Sequence, residues 1–245
     1  MIEVQELHKR LGTQDVLCGI DLTIQRGHTC VILGRSGCGK SVLLKHLIGL
    51  MQPTKGSVLI DGENISGLPE RALLKVRRKV GMLFQSGALF DSMTVEQNLS
   101  FPLHEQGIRD EKVVDERVKE ALDMVDLLGA EKKMPGKLSG GMRKRVGLAR
   151  TIVGRPECIL YDEPTTGLDP ITSDSINHLI RRLQRRLNVT SVVVTHDMKT
   201  AFHCADHVVM LHEGKVYFTG KIDELQASTD SVITDFIEGR SGEPD

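Results

Sequence analysis

Short apolar runs recur along the chain, and each one ends at a polar residue or a glycine. Residues 30–33, 80–84, 158–161 and 191–195 are runs of this kind. Continuous apolar runs of strand length are typical of strands that are buried on both faces of a parallel sheet. Between the last two runs, residues 174–187 repeat apolar side chains at helical spacing. The alternation of strands and helices predicts an α/β fold with a doubly wound sheet.

The N-terminal part of the chain is richer in strand patterns than the rest. Residues 2–7, 16–24 and 57–60 are predicted strands, and residues 68–78 are predicted to form a short helix. Near the C-terminus, residues 208–218 are typical of a hairpin around Glu213-Gly214. We therefore expect an α/β core whose first part carries extra strands.

Strand patterns stop between residues 86 and 155, which predicts a mostly helical insert. Within it, residues 110–129 are predicted to form one helix, with Asp110 as its cap and Gly129 at its end. Its predicted buried face consists of Val114, Val118, Ala121, Val125 and Leu128.

The predicted domain organisation follows from these regions. A main domain covers residues 1–238, with the core in 1–85 and 156–225 and the helical subdomain in 86–155. Short helices are predicted over 223–227 and 231–238, and the last residues, 239–245, are polar and expected to be loose. The segment 226–245 is thus a short C-terminal helix and a flexible tail.

Composition excludes several classes of function. The net charge is −1, so the chain has no general attraction to nucleic acid or to anionic membranes. Aromatic residues make up only 3%, which argues against a base-stacking surface. On the helix 174–187, the outward face carries four arginines, which could bind acidic groups but are expected to form a solvated face. These are Arg181, Arg182, Arg185 and Arg186.

Cysteine usage and hydropathy bear on the compartment. The five cysteines are scattered and show no metal-binding spacing, which favours a reducing cytosol over a disulfide framework. No apolar stretch reaches membrane-spanning length, and the N-terminus lacks a signal-peptide pattern. We expect any membrane-spanning part to belong to another chain.

The first chemical motif is a glycine-rich loop between a predicted strand and a predicted helix. It fits the P-loop pattern G-x-x-x-x-G-K-[ST], in which backbone N–H groups and the start of a helix hold phosphate groups. Lys40 adds a positive charge for the β- and γ-phosphates, and the Ser41 hydroxyl can bind Mg²⁺. The loop consists of Gly34, Arg35, Ser36, Gly37, Cys38, Gly39, Lys40 and Ser41.

Polar residues at other strand ends extend this site. The run 158–161 leads into Asp162, which can hold Mg²⁺, and Glu163, which can take a proton from the attacking water. Gln85 offers an amide to Mg²⁺ or to that water, and His196 can donate a hydrogen bond to the γ-phosphate. Adjacent acids at a strand end are often only solvated, but next to a P-loop the catalytic interpretation is favoured.

A second anion-binding helix start lies far from the P-loop in sequence. In the run 138–142, Ser139 is a good N-cap, and Gly140 and Gly141 leave their backbone amides accessible. One chain that binds one nucleotide does not need two phosphate sites. We therefore predict a head-to-tail pair of identical chains, in which this helix start faces the γ-phosphate held by the other chain.

The order of these motifs resembles that of the ATPases of ABC transporters, over nearly the whole chain. The resemblance implies a RecA-like P-loop NTPase core, an N-terminal antiparallel β subdomain, an inserted helical subdomain, ATP and Mg²⁺ as cofactors, and an ATP-sandwich dimer. It adds Val42 to the nucleotide site and Asp169 to a loop that signals across the dimer, and it makes Glu163 the general base. Permease subunits in the membrane are implied as partners.

Two positions depart from the family pattern. Met142 stands where a glutamine usually ends the signature. Leu11 stands where the family often has an aromatic residue that stacks on adenine. Either adenine selectivity is weak, or Arg10 stacks instead.

A finer resemblance lies in residues 84–99 and 138–145, which are similar to the ATPases of the Mla/MCE phospholipid-trafficking transporters. It implies a subunit at the cytoplasmic face of the inner membrane and an MCE-domain lipid-binding partner. Leu89, Phe90 and Met93 are expected to form an apolar patch for a permease helix, although any one of them could be a core residue. Two alternatives stay open: the ATPase of a small-solute importer, and a soluble protein of this family acting on nucleic acid.

Overall fold

The computed structural model describes residues 1–240, and within them strands and helices alternate as the sequence predicts. The strands are β1 (Ile2–Leu11), β2 (Gln14–Ile24), β3 (Thr29–Leu33), β4 (Lys55–Ile60), β5 (Glu63–Asn64), β6 (Val80–Leu83), β7 (Cys158–Asp162), β8 (Thr190–Thr195), β9 (His207–His212) and β10 (Lys215–Gly220). The helices are α1 (Lys40–Leu47), α2 (Glu70–Lys79), α3 (Val95–Glu105), α4 (Glu111–Met124), α5 (Gly140–Ile152), α6 (Pro170–Leu187), α7 (Met198–Cys204), α8 (Ile222–Gln226) and α9 (Ser231–Glu238). A 3₁₀ turn covers Pro135–Lys137.

The larger sheet has six strands in the order β10-β9-β3-β8-β7-β6. All its neighbouring strands are parallel except the edge strand β10, which forms the predicted hairpin with β9. Every residue of β3, β7 and β8 is buried, which explains why these strands are continuous apolar runs. Because these strands run in parallel, their carboxyl ends meet at one edge of the sheet.

The smaller sheet is antiparallel, with the strand order β2-β1-β4-β5. Alternate residues of β3 face opposite cores: Cys30 and Ile32 pack with the smaller sheet and α1, while Val31 and Leu33 pack with the helices on the other face. The predicted fold class is therefore confirmed, including the extra N-terminal strands.

Residues 86–155 contain only helices and loops, as predicted. The loop before α3 is organised by the buried side chain of Asn98. Its Nδ2 donates to the backbone oxygens of Phe90, Met93 and Thr94, and its Oδ1 accepts from the Phe90 N–H at 2.8 Å. One buried amide thus satisfies backbone groups that no secondary structure pairs.

The predicted end of the helix 110–129 is wrong. Asp110 caps α4 as expected, but α4 ends at Met124, and Asp126 turns the chain with a positive φ of 58°. The turn directs Leu127 into the core and leaves Leu128 60% exposed. The side chains of Arg145 and Arg182 both bind the Asp126 carboxylate, at 2.8 and 2.6 Å, and so stabilise the turn.

Three of the four arginines on α6 are engaged in ion pairs. Arg181 binds Asp206 at 3.0 Å, Arg182 binds Asp126, and Arg186 lies 3.8 Å from Asp123. The face predicted to be solvated is therefore largely neutralised by acids on neighbouring elements.

The C-terminal predictions are confirmed for α8 and α9, whereas the end of the predicted loose segment, 241–245, lies outside the described residues. Within residues 1–240, none of the helices has the length and apolar character needed to cross a membrane.

Candidate functional site

The glycine-rich loop joins the end of β3 to the start of α1 and curls tightly over the sheet edge. Gly34, Gly37 and Gly39 have φ values of 155°, 84° and 104°, which side chains rarely adopt. A Cβ atom on Gly34 would lie 2.6 Å from the backbone oxygen of Leu211 and 2.5 Å from the sulfur of Cys38. The loop therefore requires glycine at this position for space as well as for conformation.

Lys40 is buried, with 5% of its surface exposed. Its Nζ donates to the backbone oxygens of Gly34 at 2.7 Å and Arg35 at 3.1 Å, and lies 3.5 Å from the Glu163 carboxylate. The ammonium group thus sits inside the curl of the loop, where a phosphate group could take over these contacts.

Two oxygen donors meet beside Lys40. The Ser41 hydroxyl donates to Oδ1 of Asp162 at 2.7 Å, which joins the first turn of α1 to the end of β7. A hydroxyl and a carboxylate are the hard oxygen ligands that Mg²⁺ prefers. These two side chains could therefore hold a Mg²⁺ ion next to the phosphate loop.

Glu163 is buried directly after β7, and its backbone has a positive φ of 48°. The carboxylate is held from three sides. Oε2 lies 2.9 Å from Nδ1 of His196 and accepts from the Thr166 hydroxyl at 3.2 Å, while Oε1 faces Lys40. Such fixed geometry suits a group that must receive a proton in one direction.

Lys144 was missed by the sequence analysis, which treated 143–145 only as part of the signature. Its buried Nζ donates to the backbone oxygens of Gln85 and, at 3.3 Å, of Glu163. Burial lowers the pKa of this lysine, while the nearby Asp162 and Glu163 raise it in part. Lys144 therefore ties α5 to both residues that flank the site. A basic residue in the turn after the glycines was the only sequence signal.

These residues line one open cavity of about 340 Å³. The P-loop forms one wall, and Gln85, Glu163, Thr166 and His196 form the other. The structure thus brings together the residues predicted from four separate strand ends. Val16, which the sequence analysis did not single out, and Val42 complete the lining.

The second anion-binding helix start lies elsewhere. Ser139 caps α5 by accepting from the Met142 N–H at 3.2 Å, and a Cβ on Gly141 would lie 2.6 Å from the Thr172 side chain. Among the described residues, Ser139, Gly140 and Gly141 do not line the P-loop cavity. They pack instead beside the start of α6 in the same chain.

Asp169 caps α6 beside that helix start. Its Oδ1 accepts from the N–H groups of Ile171 and Thr172, and its Oδ2 accepts from the Thr172 hydroxyl at 2.6 Å. The hydroxyl and amide bonds from Thr172 lower the pKa of the Asp169 carboxyl. The exposed turn around Asp169 is therefore held in one conformation.

Two further sequence predictions concern side chains near the loop. Leu11 is exposed, and Arg10 forms a bidentate pair with Asp15, with both N–O distances at 2.7 Å. Arg10 is thus held within its own hairpin. Burial raises the pKa of the Cys38 thiol, which makes it less reactive than an exposed cysteine.

The apolar patch predicted beside Gln85 is only partly correct. Phe90 packs edge-on against Phe101, with ring centroids 5.0 Å apart, and Arg150 lies over the Phe90 ring at 5.6 Å. Leu89 instead packs against the core. Met93 is half-buried and does not line the groove that Phe90 borders. This groove of about 540 Å³ is lined mainly by apolar groups, among them Leu50, Phe84, Ala88, Phe90, Phe101 and Pro102.

Comparison with known proteins places this geometry in a wider context. A family model described as ABC transporter matches residues 17–166. The intermembrane phospholipid transport system ATP-binding protein MlaF of Haemophilus influenzae is 39% identical over 244 residues, covering 100% of this chain and 92% of that protein. A probable ribonucleotide transport ATP-binding protein, mkl, of Mycobacterium tuberculosis is 42% identical over 239 residues, covering 98% of this chain and 67% of that protein.

Solved structures show the same similarity. A dimeric ATP-binding cassette in a post-hydrolysis state, bound to ADP and Pi, superposes with a TM-score of 0.83 and 33% identity, covering 91% of this chain and 99% of that chain. The cbiO1 protein of Clostridium perfringens, part of the ABC transporter complex cbiONQ, superposes with a TM-score of 0.85 and 30% identity, covering 96% of this chain and 94% of that chain.

The glycines of the loop provide a direct test of its packing. Gly34→Ala should lower the free energy of unfolding by roughly 2–4 kcal/mol, because the added methyl group overpacks the site and the backbone is unfavourable for alanine. Gly37→Ala is the matched control, since nothing lies within 4 Å of its Cβ position. It should cost only about 1 kcal/mol. Urea unfolding measures both, and equal losses would contradict the proposed steric requirement at Gly34.

Proposed function

Since this chain belongs to the ABC transporter family, we propose that it is the ATP-hydrolysing subunit that drives a phospholipid transporter of the Mla type. The observation that carries the proposal is the Glu163 carboxylate, fixed between Lys40 and His196 in the cavity that the P-loop lines. The protein is an ATPase, and what we propose is the role of each residue and the substrate that is moved.

In the proposed reaction, water attacks the γ-phosphorus of ATP, and the bond from that phosphorus to the β–γ bridging oxygen breaks to give ADP and phosphate. Glu163 takes the proton of the attacking water, and His196 donates a hydrogen bond to a γ-phosphate oxygen. Lys40 exchanges its contacts with Gly34 and Arg35 for the β- and γ-phosphates. The N–H groups of residues 34–42 bind the remaining phosphate oxygens.

The cofactor set is ATP with Mg²⁺. Ser41 and Asp162 are close enough to share one ion, and Gln85 would supply a further oxygen from the opposite wall. When bound, the ion neutralises charge on the β- and γ-phosphates. Lys144 positions this side of the site by holding the backbone of Gln85 and Glu163.

We propose that the reaction needs a second copy of the chain. Ser139, Gly140 and Gly141 form an anion-binding helix start, and they lie outside the cavity of their own P-loop. In a head-to-tail dimer they would face the γ-phosphate of the partner, with Asp169 at the same interface. The similarity to a dimeric cassette that is bound to ADP and Pi supports this arrangement.

The transport role is inferred from the relatives and from the apolar groove. Two MlaF proteins, from Haemophilus influenzae and Escherichia coli, match over 100% of this chain and more than nine-tenths of their own length. The groove bordered by Phe90 and Phe101 suits an amphipathic helix of a permease subunit. We place the protein at the cytoplasmic face of the inner membrane, with permease subunits and an MCE-domain lipid-binding protein as partners. No nucleic-acid partner is expected.

The same proposal keeps the domain division that the sequence predicts. The α/β core with its β subdomain covers 1–85 and 156–225, and the helical subdomain covers 86–155 and carries the groove and the signature. Residues 226–245 are the C-terminal helix and tail.

Glu163→Gln tests the general base. The amide keeps the shape of the carboxylate but cannot take the proton, so ATP turnover should fall by about 100-fold or more. ATP binding should persist and favour the dimer, as measured by gel filtration with ATP. Glu105→Gln, at an exposed position on α3, is the control and should keep normal turnover. Unchanged turnover in Glu163→Gln would remove Glu163 as the base.

Ser139→Asp tests the second chain. Aspartate caps a helix as well as serine does, so α5 should stay folded. The added negative charge would face the partner's γ-phosphate, and turnover should fall by roughly 100-fold, as when an anion-stabilising donor is lost. ATP affinity of the isolated monomer should stay unchanged, and Ser139→Thr is the control that keeps the hydroxyl. An equal loss of monomer affinity would contradict the sandwich arrangement.

Phe101→Arg tests the docking groove and the transported substrate. Phe101 is 39% exposed, and arginine there should prevent co-purification of permease subunits while the isolated subunit still hydrolyses ATP. Phe202→Arg, on α7 at a position that is 41% exposed, is the matched control. Mass spectrometry of the wild-type complex should find phospholipid. Ribonucleotide bound to the permease in its place would overturn the lipid assignment and favour the function named for the mycobacterial relative.

A further inference from the structure

A cluster of metal-binding side chains lies on α6 and α7, outside the ATP cavity. Asp174 and His178 are one helical turn apart on α6, so their side chains share a face. His203, near the end of α7, meets them from the neighbouring helix. Each of the three offers one ligand atom, and these atoms all lie within 4.8 Å of one another.

The two histidines are already in direct contact. Nε2 of His203 lies 3.0 Å from Nδ1 of His178, and the rings meet edge-on with centroids 4.0 Å apart. On the other side of the same ring, Nε2 of His178 lies 3.5 Å from an Asp174 oxygen. Ligands of tetrahedral zinc stand about 2.0–2.2 Å from the metal, and hence roughly 3.3 Å from each other. The observed spacing needs only small side-chain rotations to match this geometry.

The two helices are fixed against each other next to the cluster. Arg181 Nη1 donates to the backbone oxygen of Cys204 at 3.3 Å, and the Cys204 thiol donates to the backbone oxygen of Asn177 at 3.7 Å. These contacts flank His178 on α6 and His203 on α7. The backbone that carries the ligands is therefore pre-organised, which reduces the ordering that binding would require.

The local charges permit a cation. Arg181 is neutralised by Asp206, and Arg182 and Arg145 share Asp126. Burial and the neighbouring His178 lower the pKa of His203, so at neutral pH it is in the uncharged form that binds metals. Asp174 adds the one negative charge that faces the two rings.

We propose that Asp174, His178 and His203 form a binding site for a divalent transition-metal ion, with Zn²⁺ as the expected occupant. Imidazole nitrogen with one carboxylate oxygen is a ligand set that suits zinc, and it does not suit Mg²⁺, which the ATP site would use. The site joins the helix that follows Asp169 to the helix that follows His196. A bound ion would hold these two helices at one spacing.

The test uses the full chain, freed of nucleotide and Mg²⁺ and titrated with ZnCl₂ in a calorimeter. The wild-type protein should bind one Zn²⁺ per chain at this site. His203→Ala and His178→Ala should weaken that binding by more than about 10-fold, since even second-shell partners of a metal cost that much. Substitution of Co²⁺ for Zn²⁺ should give a visible absorption band that both variants lose.

His104→Ala is the matched control, because this histidine lies on α3 and belongs to no such cluster among the described residues. It should bind Zn²⁺ as the wild-type protein does. Circular dichroism checks that each variant is folded. Binding of equal strength in His203→Ala and the wild-type protein would place the zinc on other residues and overturn the proposal, as would the absence of any binding heat in the wild-type protein.

Discussion

The parallel pairing of β3, β8 and β7 is the constraint on which the rest of the structure depends. Leu33 pairs with Thr195, and Asp162 pairs with Val194, so the three strands end at nearly the same level. The chain leaves these ends as the P-loop, as Glu163 and as His196. Residues that are far apart in sequence thereby face one cavity, and each is held by a strand that is buried on both sides.

The buried contacts of this edge link the α/β core to the helical segment. Lys144 reaches from α5 to the backbone of Gln85 and Glu163, so a helix of the insert is bonded to both walls of the site. The same helix begins at Ser139, beside Thr172 and the cap made by Asp169. A movement of α5 would therefore be felt at the ATP cavity and at the proposed dimer interface together, which is a physical route for coupling hydrolysis to docking at the groove.

The differences between prediction and structure have identifiable causes. Helical periodicity predicts that Leu128 is buried, but the periodicity ends where Asp126 turns the chain, and Leu127 takes the core position. Leu89 and Phe90 are adjacent and similar in hydrophobicity, yet one enters the core and the other borders the groove. The four arginines of α6 look solvated from α6 alone, because the acids that bind them come from other elements.

The sequence by itself determined the fold class, the family and the identity of the P-loop, because these depend on residue types in local order: glycines, a lysine, a hydroxyl, and apolar runs of strand length. Asp162, Glu163 and His196 were predicted for the same reason, as polar residues at strand ends. Only the tertiary structure decided that Thr166 and Lys144 hold this site, that Phe101 completes the groove with Phe90, and that His178 meets His203. Each of these depends on contacts between elements distant in sequence, and local periodicity carries no information about such contacts.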